Sequence, residues 1–232
     1  MAIVPYLAMT ATELAGNKAP ACPIAWMACH FSPYSTGLSN LPAALPKGSL
    51  MILNDRTPVF GHNPKQIAGQ LEELVTQLEC AGILLDFQRP GEERTQSIAT
   101  AVAALPYPVA VTPAYAEGLD CAVFLPPPPL TTPLGDYLQP WQERKIWLEI
   151  AKEATLFRVD GSGCKEVSES APFPCPHQDE RLICQYGMAV QADHIHFYLR
   201  RDAEMLQALM EKAADLGVKR FVGLFQELTD WV

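Results

Sequence analysis

Apolar residues recur along the chain in eight short runs: IVPYLAM (3–9), IAWMACHF (24–31), SLMILND (49–55), GILLDF (82–87), PVAVTPAY (108–115), CAVFL (121–125), KIWLEIA (145–151) and RFVGLFQEL (220–228). Several are apolar on both faces, the pattern of parallel strands with helices on one side and a core on the other. Between the third and fourth runs the period changes. Asn63 and Pro64 make a helix start, and Ile67, Leu71, Leu74, Val75 and Leu78 then share one helical face. After the fourth run, Glu92 and Glu93 suit a first helical turn, and Ile98, Val102 and Leu105 form one stripe. Farther on, Asp202 can cap a helix whose apolar side is Met205 or Leu206, Leu209, Ala213 and Leu216, with Gly217 as its stop. The repeating unit is strand, helix, strand.

The remaining links cannot all hold a helix. Few residues separate the fifth and sixth runs, and FLPPPPLTTPL (124–134) has too many prolines for a helix interior. About seventy residues lie between the seventh and eighth runs, containing ATLFRVDGSGCKEV, LICQYGMAV and HIHFYLR. The turn signals DGSG and QAD within them predict antiparallel hairpins. The expected fold is therefore α/β: a reduced TIM-type (β/α)8 barrel with an antiparallel hairpin excursion before the last helix and strand. With no repeat or low-complexity linker, residues 1–232 read as a single domain. An open doubly wound sheet is the alternative, disfavoured by the helix-free links.

Composition narrows the partners. The chain has 232 residues, 49% of them hydrophobic and 19% charged, with a net charge of −9. That hydrophobic content excludes disorder, and an acidic chain without a basic cluster makes a poor surface for nucleic acid or anionic membrane. The first residues lack a cationic start and are interrupted by Pro5 and Glu13, so they read as neither signal peptide nor membrane span. A cytoplasmic location is expected, with secretion in a processed form as the alternative. Seven cysteines, three of them (Cys29, Cys80 and Cys121) in or beside apolar runs, imply buried thiols and no disulfide framework.

The segment Ala81, Gly82, Ile83, Leu84, Leu85, Asp86, Phe87, Gln88 resembles the DGxDxDxE strand of family 18 glycoside hydrolases, a (β/α)8-barrel family that includes chitinases and spore-cortex glycosidases. KIWLEIA followed by ATLF resembles that family's seventh strand. The stretch from His196 through RRDAEMLQALMEKAADLGVKRFVGLFQEL resembles its closing hairpin, helix and last strand. The likeness runs over about residues 80–228, whereas residues 1–60 match only as strands. It implies a sugar ligand at the mouth formed by the C-terminal ends of the strands.

The chain departs from the family where the chemistry should be. Gln88 stands at the position of the catalytic Glu, Ala81 and Leu84 replace the first two acids, and only Asp86 is retained. An amide has no proton to give near neutral pH, so Gln88 cannot protonate a leaving group. The sixth-strand Tyr-Asp pair is missing, because CAVFL runs straight into Pro126, and Phe225 replaces the usual last-strand Trp. Family-typical chitinase activity is therefore not expected.

Alternation places Leu84, Asp86 and Gln88 on one face, the barrel interior if the register follows the family. Asp86 then accepts hydrogen bonds from a neighbouring strand end, pairs with Arg56 or Arg89, or belongs to a site. Asp55, in the polar cluster Asn54, Asp55, Arg56, is either a turn cap or a second carboxylate; two carboxyl groups about 5 to 9 Å apart are what glycoside hydrolysis needs. Glu149, on one face with Lys145 and Trp147, and Glu227 could each supply the missing acid, with a pKa raised by an apolar barrel wall, or serve as rim ion pairs. The catalytic candidates are thus Asp86, Asp55, Glu149 and Glu227. The ligand-binding candidates are Asn54, Gln88, Tyr115, Phe225 and Gln226, and Trp26, Tyr115, Trp141 and Phe225 offer faces for stacking on a sugar. His30, Ser32 and Tyr34 could line the same mouth, and His, Ser and Asp on successive strand ends permit an esterase-like reading, but no GxSxG elbow accompanies them. Cys164, Cys175, His177, Cys184, His194 and His196 lack a short paired-ligand spacing, so neither metal nor cofactor is expected. Three functions stay open: a barrel binding a glycan or small polar ligand, a different barrel hydrolase using these carboxylates, and a scaffold whose working surface is prolines 126–129 with the hairpins.

Overall fold

A computed structural model describes residues 3–16, 21–59, 61–89, 91–167 and 173–229. Each of the eight apolar runs contributes a strand to one sheet: β1 (Tyr6–Met9), β2 (Ile24–Phe31), β4 (Leu50–Asn54), β5 (Gly82–Asp86), β6 (Val109–Val111), β7 (Ala122–Leu125), β8 (Ile146–Glu149) and β14 (Val218–Leu224). A two-residue β3 (Leu38–Ser39) pairs antiparallel with the end of β2. All neighbours among the other eight run parallel, and β1 pairs with both β14 and β2, so the sheet closes on itself. The fold is a TIM-type barrel. Register aligns Asn54 with Asp86, Phe124 with Trp147 and Glu149 with Val222.

Three full-length helices cover part of the outside. In α2 (Pro64–Gln77), Asn63 Oδ1 accepts from the backbone N–H of Lys65 and Gln66, and Ile67, Ala68, Leu71 and Val75 are buried. In α3 (Glu93–Ala103), Ile98 and Val102 lie on the buried stripe. Asp202 caps α5 (Ala203–Asp215), and Gly217 leaves it at φ 96°. Elsewhere the cover is thin, as the prolines require: a 3₁₀ turn at Pro113–Tyr115 ends the fifth run early, α4 (Leu134–Leu138) has five residues, and α1 (Ala11–Gly16), which apolar periodicity did not mark, has six. The signal for α1 is instead Thr10 and Glu13, each satisfying the other's backbone or side chain as in a capping box.

Alternation divides the strands' side chains into two cores. The outer one packs against the helices, whereas the barrel interior holds Ala8, Ala25, Ala110 and Ala122 together with Leu50, Ile52, Leu84, Phe124, Trp147 and Val222. Small residues beside large ones let a narrow barrel fill. At the N-terminal end the guanidinium of Arg220 lies 4.6 Å from the Trp147 ring centre and 5.8 Å from that of Tyr6, and donates to Ala81 O. Gly82 makes room for this floor: a Cβ there would stand 2.5 Å from Pro108 O and 3.1 Å from Arg220 Nη1.

The excursion between β8 and α5 is a five-stranded antiparallel sheet of β9 (Glu153–Asp160), β10 (Gly163–Val167), β11 (His177–Asp179), β12 (Cys184–Val190) and β13 (His194–Arg201), in the order β10-β9-β13-β12-β11. Arg201 ties it to the barrel, beside the packing of Ile183 in the outer core. Arg201, 1% exposed, donates to Pro128 O in the proline loop after β7, to Leu182 O and Ile183 O before β12, and to the Glu153 carboxylate at 2.9 Å. Ile183 is a β-branched residue at φ 51°, a backbone conformation that needs such support. No helix among the described residues is long and apolar enough to cross a membrane.

Removing one partner of a buried ion pair leaves the other charge uncompensated, a loss of about 3 to 5 kcal/mol. Arg201→Met should lower the unfolding free energy by roughly that amount in a urea titration. A loss below about 1 kcal/mol would make the Arg201 contacts incidental.

Candidate active site

The C-terminal ends of the barrel strands enclose a cavity of about 480 Å³. Its apolar wall includes Met27, Ile52, Leu84, Phe124, Val222 and Leu224, and its polar groups include Asn54, Asp55, Arg56, Asp86, Gln88, Arg89 and Glu149. Asp86 and Glu149 stand at the last positions of β5 and β8, on the interior faces that carry Leu84 and Trp147 one step below. Strand alternation therefore aims both carboxylates into the same space.

Their environment disfavours charge. Burial pushes the Glu149 carboxyl up to about 7, helped by the negative charges of Asp86, Glu227 and Glu153. Burial also raises Asp86, with Asp55 adding to the effect and a hydrogen bond from Gln88 opposing it. Two carboxyl groups raised by burial thus share one cavity, with Glu149 brought to about 7, where a general acid is useful near neutral pH. Gln88 is bound into this arrangement: its Nε2 donates to Asp86 Oδ1, and its backbone N–H donates to Asp55.

Asp55 is 2% exposed, and its two oxygens accept the backbone N–H groups of Gln88 and Arg89, each at 2.9 Å. It clamps the exit of β5 while touching the cavity. Asn54 donates to Met27 O and accepts from Arg56 N, tying β4 to β2. Arg89 reaches Arg56 O. Glu227 lies outside the cavity wall but within electrostatic reach of Glu149 and Glu153, and its buried Oε2 has no hydrogen-bond partner among the described residues. Gln226 is exposed and donates to Glu13 Oε1 at 2.8 Å.

Tyr115 and Phe225 are not brought to the cavity. Tyr115 is buried in the outer core, edge-on to Phe87 with its hydroxyl donating to Arg89 O, and Phe225 packs in the same layer. The Trp26 indole anchors the following loop through Asn40 O, and Trp141 packs at the outer core's edge. His30 Nδ1 contacts Ala28 O. Aromaticity at a strand end marks both stacking faces and loop anchors, and here side-chain direction separates them.

Two further groups bear on the site without having been singled out in the sequence. Glu153, four residues beyond Glu149, is raised by burial against the lowering influence of Arg201. Tyr137, pushed up to about 12 by burial and by Glu149 and Glu153, donates to Pro126 O at 2.8 Å and holds the proline rim beside the acids. The sequence signal for Glu153 is its position at the turn from barrel strand to excursion; Tyr137 has none. Among the described residues no group of three His, Cys, Asp or Glu side chains could hold a metal ion.

No protein-family model matches the sequence, and no curated protein matches it. Solved structures do resemble it. Against ydhD of Bacillus subtilis, assigned as a sporulation-specific glycosylase, the TM-score is 0.50 at 10% identity, covering 88% of this chain and 91% of that one. The Bacillus cereus spore cortex-lytic enzyme SleL gives 0.47 at 12% identity, covering 86% of this chain and 63% of that one, so the chain spans less than two thirds of its length. What is shared is the fold.

Glu149 also links the site to stability. From about pH 4.5 to about 7 the native state keeps a proton on Glu149 that the unfolded chain has released, so this group makes stability fall as pH rises through that window. Glu149→Gln should therefore gain on the order of 1 to 3 kcal/mol over the unmodified protein at pH 8 and nothing near pH 4. Urea titrations at the two pH values check this; an equal difference at both would place Glu149 in a solvated setting.

Proposed function

We propose that the barrel mouth binds a glycoside and hydrolyses it with Glu149 as general acid and Asp86 as the partner carboxylate. The observation that carries this reading is the convergence of these two carboxyl groups in one largely apolar cavity. The Glu149 proton passes to the bridging oxygen as its bond to the anomeric carbon breaks. Water then adds to that carbon and gives its proton to Asp86, releasing sugar and alcohol. Asp55 holds the β5 exit in place for this chemistry, and Asn54 and Gln88 orient hydroxyl groups. The glycosylase assignment of ydhD and the likeness of the 80–228 segment to family 18 glycoside hydrolases support a sugar as the ligand, while the acid has moved from β5 to β8. Activity of the kind that family shows on N-acetylglucosamine oligomers is absent on this reading, because Gln88 occupies its acid position.

A second reading, glycan binding without cleavage, has one observation in its favour: Gln88 is held against Asp86 and engages one of its oxygens. A panel of 4-methylumbelliferyl and methyl glycosides of glucose, galactose, mannose and N-acetylglucosamine separates the two. Turnover should fall as pH passes about 7, where Glu149 ionises. Glu149→Gln should lose about 10² to 10⁴ in rate on methyl glycosides and less on 4-methylumbelliferyl glycosides, whose leaving group needs little protonation. Asp86→Asn should lose both, and Gln88→Glu should not create chitobioside hydrolysis. Binding without turnover at any pH selects the second reading; neither binding nor turnover leaves a scaffold.

A further inference from the structure

The mouth has a second lobe. A cavity of about 290 Å³ adjoins the first and shares Gln88, Phe124 and Glu149 with it. Its other walls include Thr112, Pro113, Ala114 and Pro126, from the short links after β6 and β7. Glu149 thus stands on the partition between two compartments.

The compartments differ in what they offer a ligand. In the second, the polar groups that it does not share with the first are already engaged. Thr112 Oγ1 donates to Phe87 O at 2.7 Å, Thr112 O and Pro113 O accept the N–H groups of Tyr115 and Ala116, and Pro126 O accepts the Tyr137 hydroxyl. The two prolines have no N–H. A pyranose ring in this lobe would leave several hydroxyls without partners, whereas an apolar group asks for none. The first lobe, with the Arg56 and Arg89 guanidinium groups and the second oxygen of Asp86 on its wall, suits hydroxyl groups.

Resting on the assignment of Glu149 as the acid, we infer that the second lobe receives an apolar aglycone, so that the substrate is a glycoside of an apolar alcohol or phenol. The sugar occupies the first lobe, the bridging oxygen lies on the partition beside Glu149, and Pro113, Phe124 and Pro126 flank the leaving group. The thinness of the barrel cover on this side is what opens the lobe: a full helix after β6 or β7 would bring its own first turn into the space.

Binding to the Glu149→Gln protein tests this free of leaving-group chemistry. Phenyl and methyl β-glycosides of the same four sugars, with the corresponding disaccharides, are titrated calorimetrically, and 4-nitrophenol alone is followed by ligand-observed NMR. For any sugar that binds, the phenyl glycoside should bind at least tenfold tighter than the methyl glycoside and the disaccharide. Ala114 is exposed, so Ala114→Trp in the same background can fill the lobe without entering the core. It should bring the phenyl-to-methyl ratio toward one and abolish the 4-nitrophenol signal, with thermal melting confirming the fold. A disaccharide that binds best, or 4-nitrophenol binding that survives Ala114→Trp or never occurs, overturns the inference while leaving Glu149 as the acid. Failure of the unmodified protein to turn over any glycoside overturns the acid assignment instead; loss of 4-nitrophenol binding on Ala114→Trp would then still support the lobe as an apolar site.

Discussion

The Arg201 guanidinium, removed from water and surrounded by four acceptors, is the contact on which the upper half of the molecule depends. Its carbonyl partners lie in the proline loop after β7 and at the start of β12, and its carboxylate partner opens β9. The antiparallel sheet already sets Glu153 opposite Arg201 and β12 beside β13, so what the guanidinium adds is the tie to the proline loop after β7. The same contact holds Glu153 near Glu149, where its charge adds a little to the upward push that burial, Asp86 and Glu227 give that carboxyl. A surface ion pair would do neither, since water and salt would screen it.

Much of the fold is legible in the chain. Eight apolar runs, the Asn63-Pro64 and Asp202 helix starts, the Gly217 stop and the DGSG turn correspond to observed elements, because each rests on local chemistry: period, capping, or a required left-handed backbone. The polyproline stretch announces that helices are missing from part of the circumference. The six-residue α1 escapes the pattern because it buries no residue of its own and is held by the Thr10–Glu13 capping contacts rather than by an apolar stripe.

The site is legible only in part, and the reason is directional. Alternation along a strand places Asp86 and Glu149 inside, since the side-chain period of two leaves no choice. It says nothing about residues beyond the last ladder bond. Tyr115 sits in that region and turns outward into the outer core, and Asp55 turns to collect backbone N–H groups rather than face the cavity freely; Phe225, next to interior-facing Leu224 and still bonded to Ala8 O, points outward as alternation requires. Arg201 and Tyr137 act through carbonyl groups far away in sequence, and no spacing rule encodes such partners. Residues on the regular lattice of the barrel could thus be placed from the sequence, whereas those whose role depends on loop geometry required coordinates.

The floor of the barrel has a consequence for traffic. With Arg220 stacked on Trp147 above Gly82, and with Ala25, Leu50 and Ala110 completely buried above it, the interior offers no passage from one end to the other. The cavity is a blind well. Whatever is seated over Ala8, Ile52 and Leu84 therefore leaves by the end at which it came in.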